Sequence, residues 1–398
     1  MSNNNLSRLK YIAVLFTGIL AASIPATASA EWSIVGLGTL AGTYSVAQAI
    51  NDSGQVVGNG NGMDRAFITG ANGVGMSYLD TLGGGRSFAS DINNTGQVVG
   101  YSFTDTSDLH AFITGPNGAG MSDLGTLGGD YSIAYGVNNF GQVVGVSSTA
   151  GNAAYHAFIT GPNGVGMTDL GTLSGDYSTA YSINDSGQVT GISSISDAPV
   201  QHAFITGANG IGMADLTTLN GGADNISIGR AINNLGQVVG FSGFYDDFIG
   251  YQSAQAFITD AGGVNISGLG TSIHSRADAV NDIGQVVGGI NSYCDNCIHS
   301  AFLYSEGTIT DLSLLAPVVA AGWSELSAVG INNRGQIIGW GHLEGAPGGG
   351  SRAFLLSPIV AVPEPATYAM LLAGLGLLGF MLRRGQQTIY RPVFTGAL

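Results

Sequence analysis

One eight-residue phrase returns seven times along this 398-residue chain, starting at Asn51, Asn93, Asn138, Asn184, Asn233, Asn281 and Asn332. The first copy reads Asn51-Asp52-Ser53-Gly54-Gln55-Val56-Val57-Gly58, and successive copies lie 42, 45, 46, 49, 48 and 51 residues apart. At this period each copy is one supersecondary unit, too small to bury its apolar face alone, so the fold must be an array of stacked units. The 65 glycines would suggest disorder if scattered. They recur instead at fixed places between apolar runs, which makes them turns.

The third copy shows the unit. Residues 134–138 read as a strand, Asn139-Phe140-Gly141 as a tight turn and residues 142–146 as the returning strand. Glycine supplies the positive φ that such a turn needs. After a variable stretch come a third strand, His156-Ala157-Phe158-Ile159-Thr160, a turn at Gly161-Pro162-Asn163-Gly164, and a fourth strand from Met167. Four short strands per unit at this spacing are the mark of a propeller blade. A lone fourth-strand text around Leu37 precedes the first copy, and the last copy stops after its third strand at Leu356. The expected fold is therefore all-β: a seven-bladed β-propeller of four-stranded blades over residues 31–360, closed by its N-terminal strand. An open β-solenoid is the alternative. Closure by strand donation leaves no unpaired edge.

The text His156-Ala157-Phe158-Ile159-Thr160-Gly161-Pro162-Asn163-Gly164, continuing through Met167, Asp169 and Leu170, resembles the HAF family of bacterial extracellular repeats. That resemblance implies a repeat architecture and export, and carries no established chemistry. His110, His156 and His202 hold the family histidine, whereas Arg65, Gln255, Ser300 and Arg352 replace it in other copies. A role that needs histidine in every blade is excluded.

Both ends read as addresses. Arg8 and Lys10, an apolar run from Tyr11 and the triplet Ala28-Ser29-Ala30 make residues 1–30 a secretory signal peptide with cleavage after Ala30. Near the other end, Val362-Pro363-Glu364-Pro365 precedes an apolar stretch over 366–382 and then Arg383-Arg384. The stretch is at the short end of what spans a bilayer, and the arginine pair would hold the cytoplasmic side. Residues 361–385 as a whole resemble the PEP-CTERM sorting signal of Gram-negative bacteria. The resemblance implies an exosortase as partner, a membrane anchor through the C-terminal helix before processing, and transfer to the cell surface or an extracellular, exopolysaccharide-rich matrix. Residues 386–398 extend past the usual end of such a signal.

Charge narrows the function classes. Between Glu31 and Val362 stand 25 carboxylates against six arginines, a balance that repels phosphate backbones and excludes nucleic acid as a partner. Ser53 and Ser186 look like nucleophiles only in isolation, since Thr95, Phe140, Leu235, Ile283 and Arg334 fill the same turn position. The Gly70-Ala71-Asn72-Gly73-Val74-Gly75 text lacks the following helix that a phosphate loop needs and reads as a hairpin turn. The three histidines come one per blade without converging ligands, so no metal or other cofactor is expected. Cys294 and Cys297 are expected to close a small loop as a disulfide, with a redox or metal role as the alternative.

The variable stretches between second and third strands are the expected binding face, because loops on a rigid scaffold carry function. The most individual of them holds Phe244, Tyr245, Asp246, Asp247 and Phe248, whose rings could stack on sugars. Asp105, Asp108 and Asp295 are the other acids there that break the repeat. Two functions are compatible with this reading: a non-catalytic surface or matrix propeller, or a polysaccharide hydrolase or lyase using loop-face carboxylates.

Overall fold

The computed structural model describes residues 31–359 apart from 41, 61–64, 196–199, 222–225, 247–249, 272–273 and 291–299, together with 372–378 and 380. The first repeat forms four antiparallel strands in sequence order: Ser45–Ile50, Val56–Gly60, Ala66–Thr69 and Met76–Tyr78. Each later repeat does the same, ending with Trp323–Ile331, Ile337–Leu343 and Arg352–Ile359. The missing fourth strand of that last blade is Glu31–Gly36, hydrogen-bonded alongside Arg352–Ile359. Leu37 continues the pairing by donating its N–H to the Ala353 carbonyl at 2.9 Å. The seven-bladed propeller closed by its N-terminal strand is the fold, and the open solenoid is not.

The first strand of every blade is innermost. These seven strands pack on one another round the ring, and the last meets the first. The blade core arises from the repeat text. Phe67, Phe112, Phe158, Phe204, Phe257, Phe302 and Phe354, one per blade, are fully buried, as are the paired valines or isoleucines of the second strand, Val189-Thr190 in the fourth blade. Burying such a ring contributes about 1.5–3 kcal/mol. The glycine that ends the Gln-Val-Val-Gly run has no room for a side chain: a Cβ on Gly100 would lie 1.9 Å from the Phe88 carbonyl.

A hydroxyl pins most blade junctions. Ser87, Ser132, Ser178, Ser227, Ser275 and Ser45 each accept the N–H of the repeat alanine in the preceding blade's third strand, Ala353 of the last blade pairing with Ser45 of the first. At the junction into the seventh blade, Leu326 stands at that position and is buried. The propeller is thus a set of local hairpins joined by one recurring bond.

Candidate functional site

The repeat asparagine closes the hairpin between first and second strands. Asn51 Oδ1 accepts the N–H groups of Ser53 and Gln55, and Gly54 takes φ +77°. Its Nδ2 then reaches out of the blade and donates to the Asn93 carbonyl. The same bond runs Asn93 to Asn138, Asn138 to Asn184, Asn184 to Asn233, Asn233 to Asn281, Asn281 to Asn332 and Asn332 back to Asn51, at 2.9–3.1 Å throughout. All seven side chains are buried. An unmade bond here would leave a desolvated donor and a carbonyl, which explains why no other residue takes the place.

A second closed circuit sits beside it. Each following residue donates its N–H to the side-chain Oδ1 of its counterpart in the next blade, at 2.8–2.9 Å, through Asp52, Asn94, Asn139, Asp185, Asn234, Asp282 and Asn333. The three aspartates have their second oxygens covered by amides: Asn94 and Asn333 donate to Asp52, Asn139 and Asn234 to Asp185, Asn234 and Asn333 to Asp282. This tier frames a mouth of the axial channel, with a cavity of about 200 Å³. Its carboxylates are satisfied by the framework itself.

One step along the axis the chemistry changes. Every innermost strand skips one residue in its pairing with the second strand, three positions before the repeat asparagine. The skipped residues are Gln48, Ser90, Tyr135, Tyr181, Arg230, Asp278 and Val329, and all seven line one axial cavity of about 430 Å³. A bulge re-aims a side chain that the ladder would otherwise send into a blade interface. Here it does so seven times, with no two neighbours alike except the tyrosines. Asp91, Tyr101, Ser182 and Asn59 complete the wall.

The belt is lopsided. Tyr135 and Tyr181 lie with ring centroids 5.3 Å apart on the third and fourth blades. Burial pushes the phenols of Tyr101 and Tyr135 up, so both stay protonated donors at neutral pH. Beyond them Arg230 Nη2 comes within 3.3 Å of Asp278 Oδ1, and Arg276 Nε donates to Asp278 Oδ2 at 2.9 Å. Asp91 accepts N–H bonds from Val137 and Ile92, but burial outweighs both and raises its carboxyl to about 7. An acid held near neutrality inside a cavity marks a functional candidate.

The residues expected from the sequence lie elsewhere. Phe244, Tyr245 and Asp246 belong to the second strand of the fifth blade, Val238–Asp246, which extends outward as a hairpin with Gly250–Thr259 rather than ending in a loop. Phe244 is exposed. Asp247 and Phe248 lie outside the described residues, as do Cys294, Asp295 and Cys297. Asp105 is exposed on the second blade, and Asp108 there accepts from Thr106 Oγ1 at 2.6 Å. The turn at Ala71–Gly73 is a single 3₁₀ turn with Asn72 at φ +54°, as its hairpin reading requires.

The histidines hold repeated structural positions, with a partner that the sequence reading did not foresee. Each has a carboxylate partner, because antiparallel pairing of third and fourth strands brings together residues 13 positions apart: His110 with Asp123 at 2.8 Å, His156 with Asp169 at 2.8 Å, His202 with Asp215 at 2.9 Å. Ser300 takes the same place against Asp311 at 2.6 Å. A serine that can replace the imidazole shows a strand-clasping role.

The channel belt was missed in the sequence because its residues share no text. The signal was there in reverse: a position three residues before an invariant asparagine that holds Gln, Ser, Tyr, Tyr, Arg, Asp and Val.

Comparison with known proteins adds the address and the fold. Residues 361–385 match the PEP-CTERM protein-sorting motif, which implies export and processing by an exosortase. Val362, Pro363, Glu364, Pro365, Arg383 and Arg384 fall within that match and outside the described residues, as do Ala28 and Ala30 of the signal peptide. Residues 372–378 and 380 are helical, and among the described residues no helix is long and apolar enough to cross a membrane. No curated protein matches the chain.

Among solved structures it is similar to the β-propeller domain of the trilobed protease from Pyrococcus furiosus. The TM-score is 0.52 and the identity 8%, over 81% of this chain and 100% of that one. That domain is described as having an open velcro topology, whereas here Glu31–Gly36 completes the last blade. Virginiamycin B lyase from Staphylococcus aureus gives a TM-score of 0.51 and 12% identity over 83% of this chain and 100% of that one. A putative TolB from Agrobacterium tumefaciens gives 0.43 and 13% over 60% and 88%. At these identities the likeness concerns the fold.

Proposed function

We propose that this is a non-catalytic binding or structural propeller of the cell surface or extracellular matrix, and that its partner is exopolysaccharide. The observation that carries the reading is the division of labour along the channel. Repeating residues close the ring and leave a rigid frame, while the one non-repeating tier faces a single cavity. Aromatic faces beside amide, hydroxyl and charged groups are the combination by which small polar rings are held. The sorting motif sends that frame out of the cell.

A catalytic reading has one observation in its favour. Asp91, held near 7, could donate a proton within the channel. The loop-face acids give that reading less support, since Asp105 and Asp108 stand on the second blade and Asp246 on the fifth.

Size-exclusion with light scattering on the protein mixed with its host's exopolysaccharide separates these outcomes. Co-elution with polymer of unchanged mass is expected. A falling polymer mass would replace the binding role by an enzymatic one, and separate elution would remove the polysaccharide partner.

A further inference from the structure

Arg230 is the one cation among the seven bulge side chains, and its setting leaves it available. Its guanidinium carbon lies 5.8 Å from the centre of the Tyr181 ring, and the side chain is 38% exposed. Its nearest carboxylate is shared: Asp278 also receives Arg276 Nε at 2.9 Å. Asp278 Oδ1 is buried, and the approach of Arg230 Nη2 at 3.3 Å lacks hydrogen-bond alignment, so this oxygen has no hydrogen-bond partner. Two guanidiniums thus meet at Asp278, and the second carboxyl of the cavity, Asp91, is raised by burial to about 7. A buried acceptor that makes an ion pair but no hydrogen bond, and a cation with donors to spare, both facing the same cavity as a tilted pair of tyrosines, describe a ligand with three features. It carries a carboxylate for the guanidinium fork, a hydroxyl for Asp278 Oδ1, and a ring face for the phenol rings.

We infer that the axial channel binds an acidic sugar residue of the uronate type, its carboxylate taken by Arg230, a ring hydroxyl by Asp278 and its apolar face by Tyr181 and Tyr135. The inference rests on the polysaccharide reading and narrows it to acidic sugars held at the axis. The cavity of about 430 Å³ falls within the range of small-molecule sites. It therefore takes an end or a short branch of a polymer, while the polymer body stays outside the ring.

Calorimetric titration of the full-length protein with methyl β-D-glucuronide, methyl β-D-glucoside and acetate tests this. The glucuronide should bind, and both controls should bind roughly tenfold to a hundredfold more weakly, the worth of one charge-assisted fork and one ring contact. Arg230→Gln should lose the preference for glucuronide over glucoside. Ser90→Tyr is the second variant, because Tyr135 and Tyr181 already occupy the equivalent bulge in the next two blades. It should melt like the parent and lose glucuronide by filling the channel. Equal binding of glucoside, equal binding of acetate, glucuronide affinity unchanged in Arg230→Gln, or no binding at all overturns the inference. The two readings fail separately. Polymer that co-elutes equally with Arg230→Gln removes the axial site and keeps the matrix partner. Glucuronide bound at the axis without polymer co-elution keeps the site and removes the partner.

Discussion

Asn93 and Ser90 stand three residues apart on one innermost strand, and they obey different rules. Asn93 is buried, donates to its own turn through Gln97 Oε1 and to the next blade through the Asn138 carbonyl, and accepts two backbone N–H groups of its turn. Ser90 lies at the bulge and faces the cavity. The asparagine tier repeats because each side chain bonds both its own turn and the next blade's backbone carbonyl, so a change at one position strands groups in two blades. The bulge tier is free to vary because its partners lie in the channel. A ring of equal blades can therefore hold an asymmetric site without strain on its symmetry.

The comparison breaks first at closure. Deleting residues 31–42 removes the strand that completes the last blade and leaves Arg352–Ile359 an open edge. The melting midpoint should fall by about 10 °C or more, measured by circular dichroism. A truncated protein that melts like the intact one would mean the ring does not depend on its clasp.

Next in size is the pair itself. Asn93→Ala strands buried backbone groups in two blades and should lose about 3–5 kcal/mol in urea unfolding. Ser90→Ala should stay within about 0.5 kcal/mol. Similar losses for both would erase the distinction between frame and belt.

Asp91 sharpens it, being a belt residue whose backbone bonds reach the frame. Its carboxyl rises from 3.8 to about 7 on folding, so between those values the folded state binds more protons than the unfolded one. The contribution is full below about 4 and is lost as pH rises through about 7, by as much as about 4 kcal/mol. Tyr101, Tyr135, Arg230 and Asp278 line the same cavity. Asp91→Asn, which keeps an acceptor for only one of the Val137 and Ile92 N–H groups, should be less stable than the parent at low pH and should flatten the parent's decline across that window. If parent and variant keep parallel stability–pH curves, Asp91 titrates as an ordinary carboxyl.

The smallest effect belongs to the outer clasp. The His156–Asp169 pair is partly exposed, so His156→Ala should lose about 0.5 kcal/mol, read by the same unfolding curves. A loss above that of Asn93→Ala would place structural weight at the blade edge instead of the axis.

Much of the frame could be read from the chain. The turn glycines at 54, 96, 141, 187, 236, 284 and 335 all take positive φ, as their place in the repeat required. The spare strand near Leu37 found its partner across more than 300 residues of sequence, because counting fourth strands left one place unfilled. The histidine–aspartate clasp was not legible, since a separation of 13 residues acquires meaning only once the third and fourth strands pair in a given register. The loop reading of Phe244–Asp246 gave way to an outward hairpin, where aromatic residues suit a paired strand as well as a loop.

The sequence by itself determined the number of blades, their strand order, the turn geometry and the closing strand. Each of these rests on local text whose physical requirement is met within one unit or by its copy. Only the tertiary structure decided what faces the axis. One extra residue in the pairing of each innermost strand aims Tyr135, Tyr181, Arg230 and Asp278 at a common space, although they come from four separate blades. Their spacing of 46, 49 and 48 residues is the repeat period, which marks them as equivalent positions, but the bulge that turns them to the axis appears only in the strand pairing.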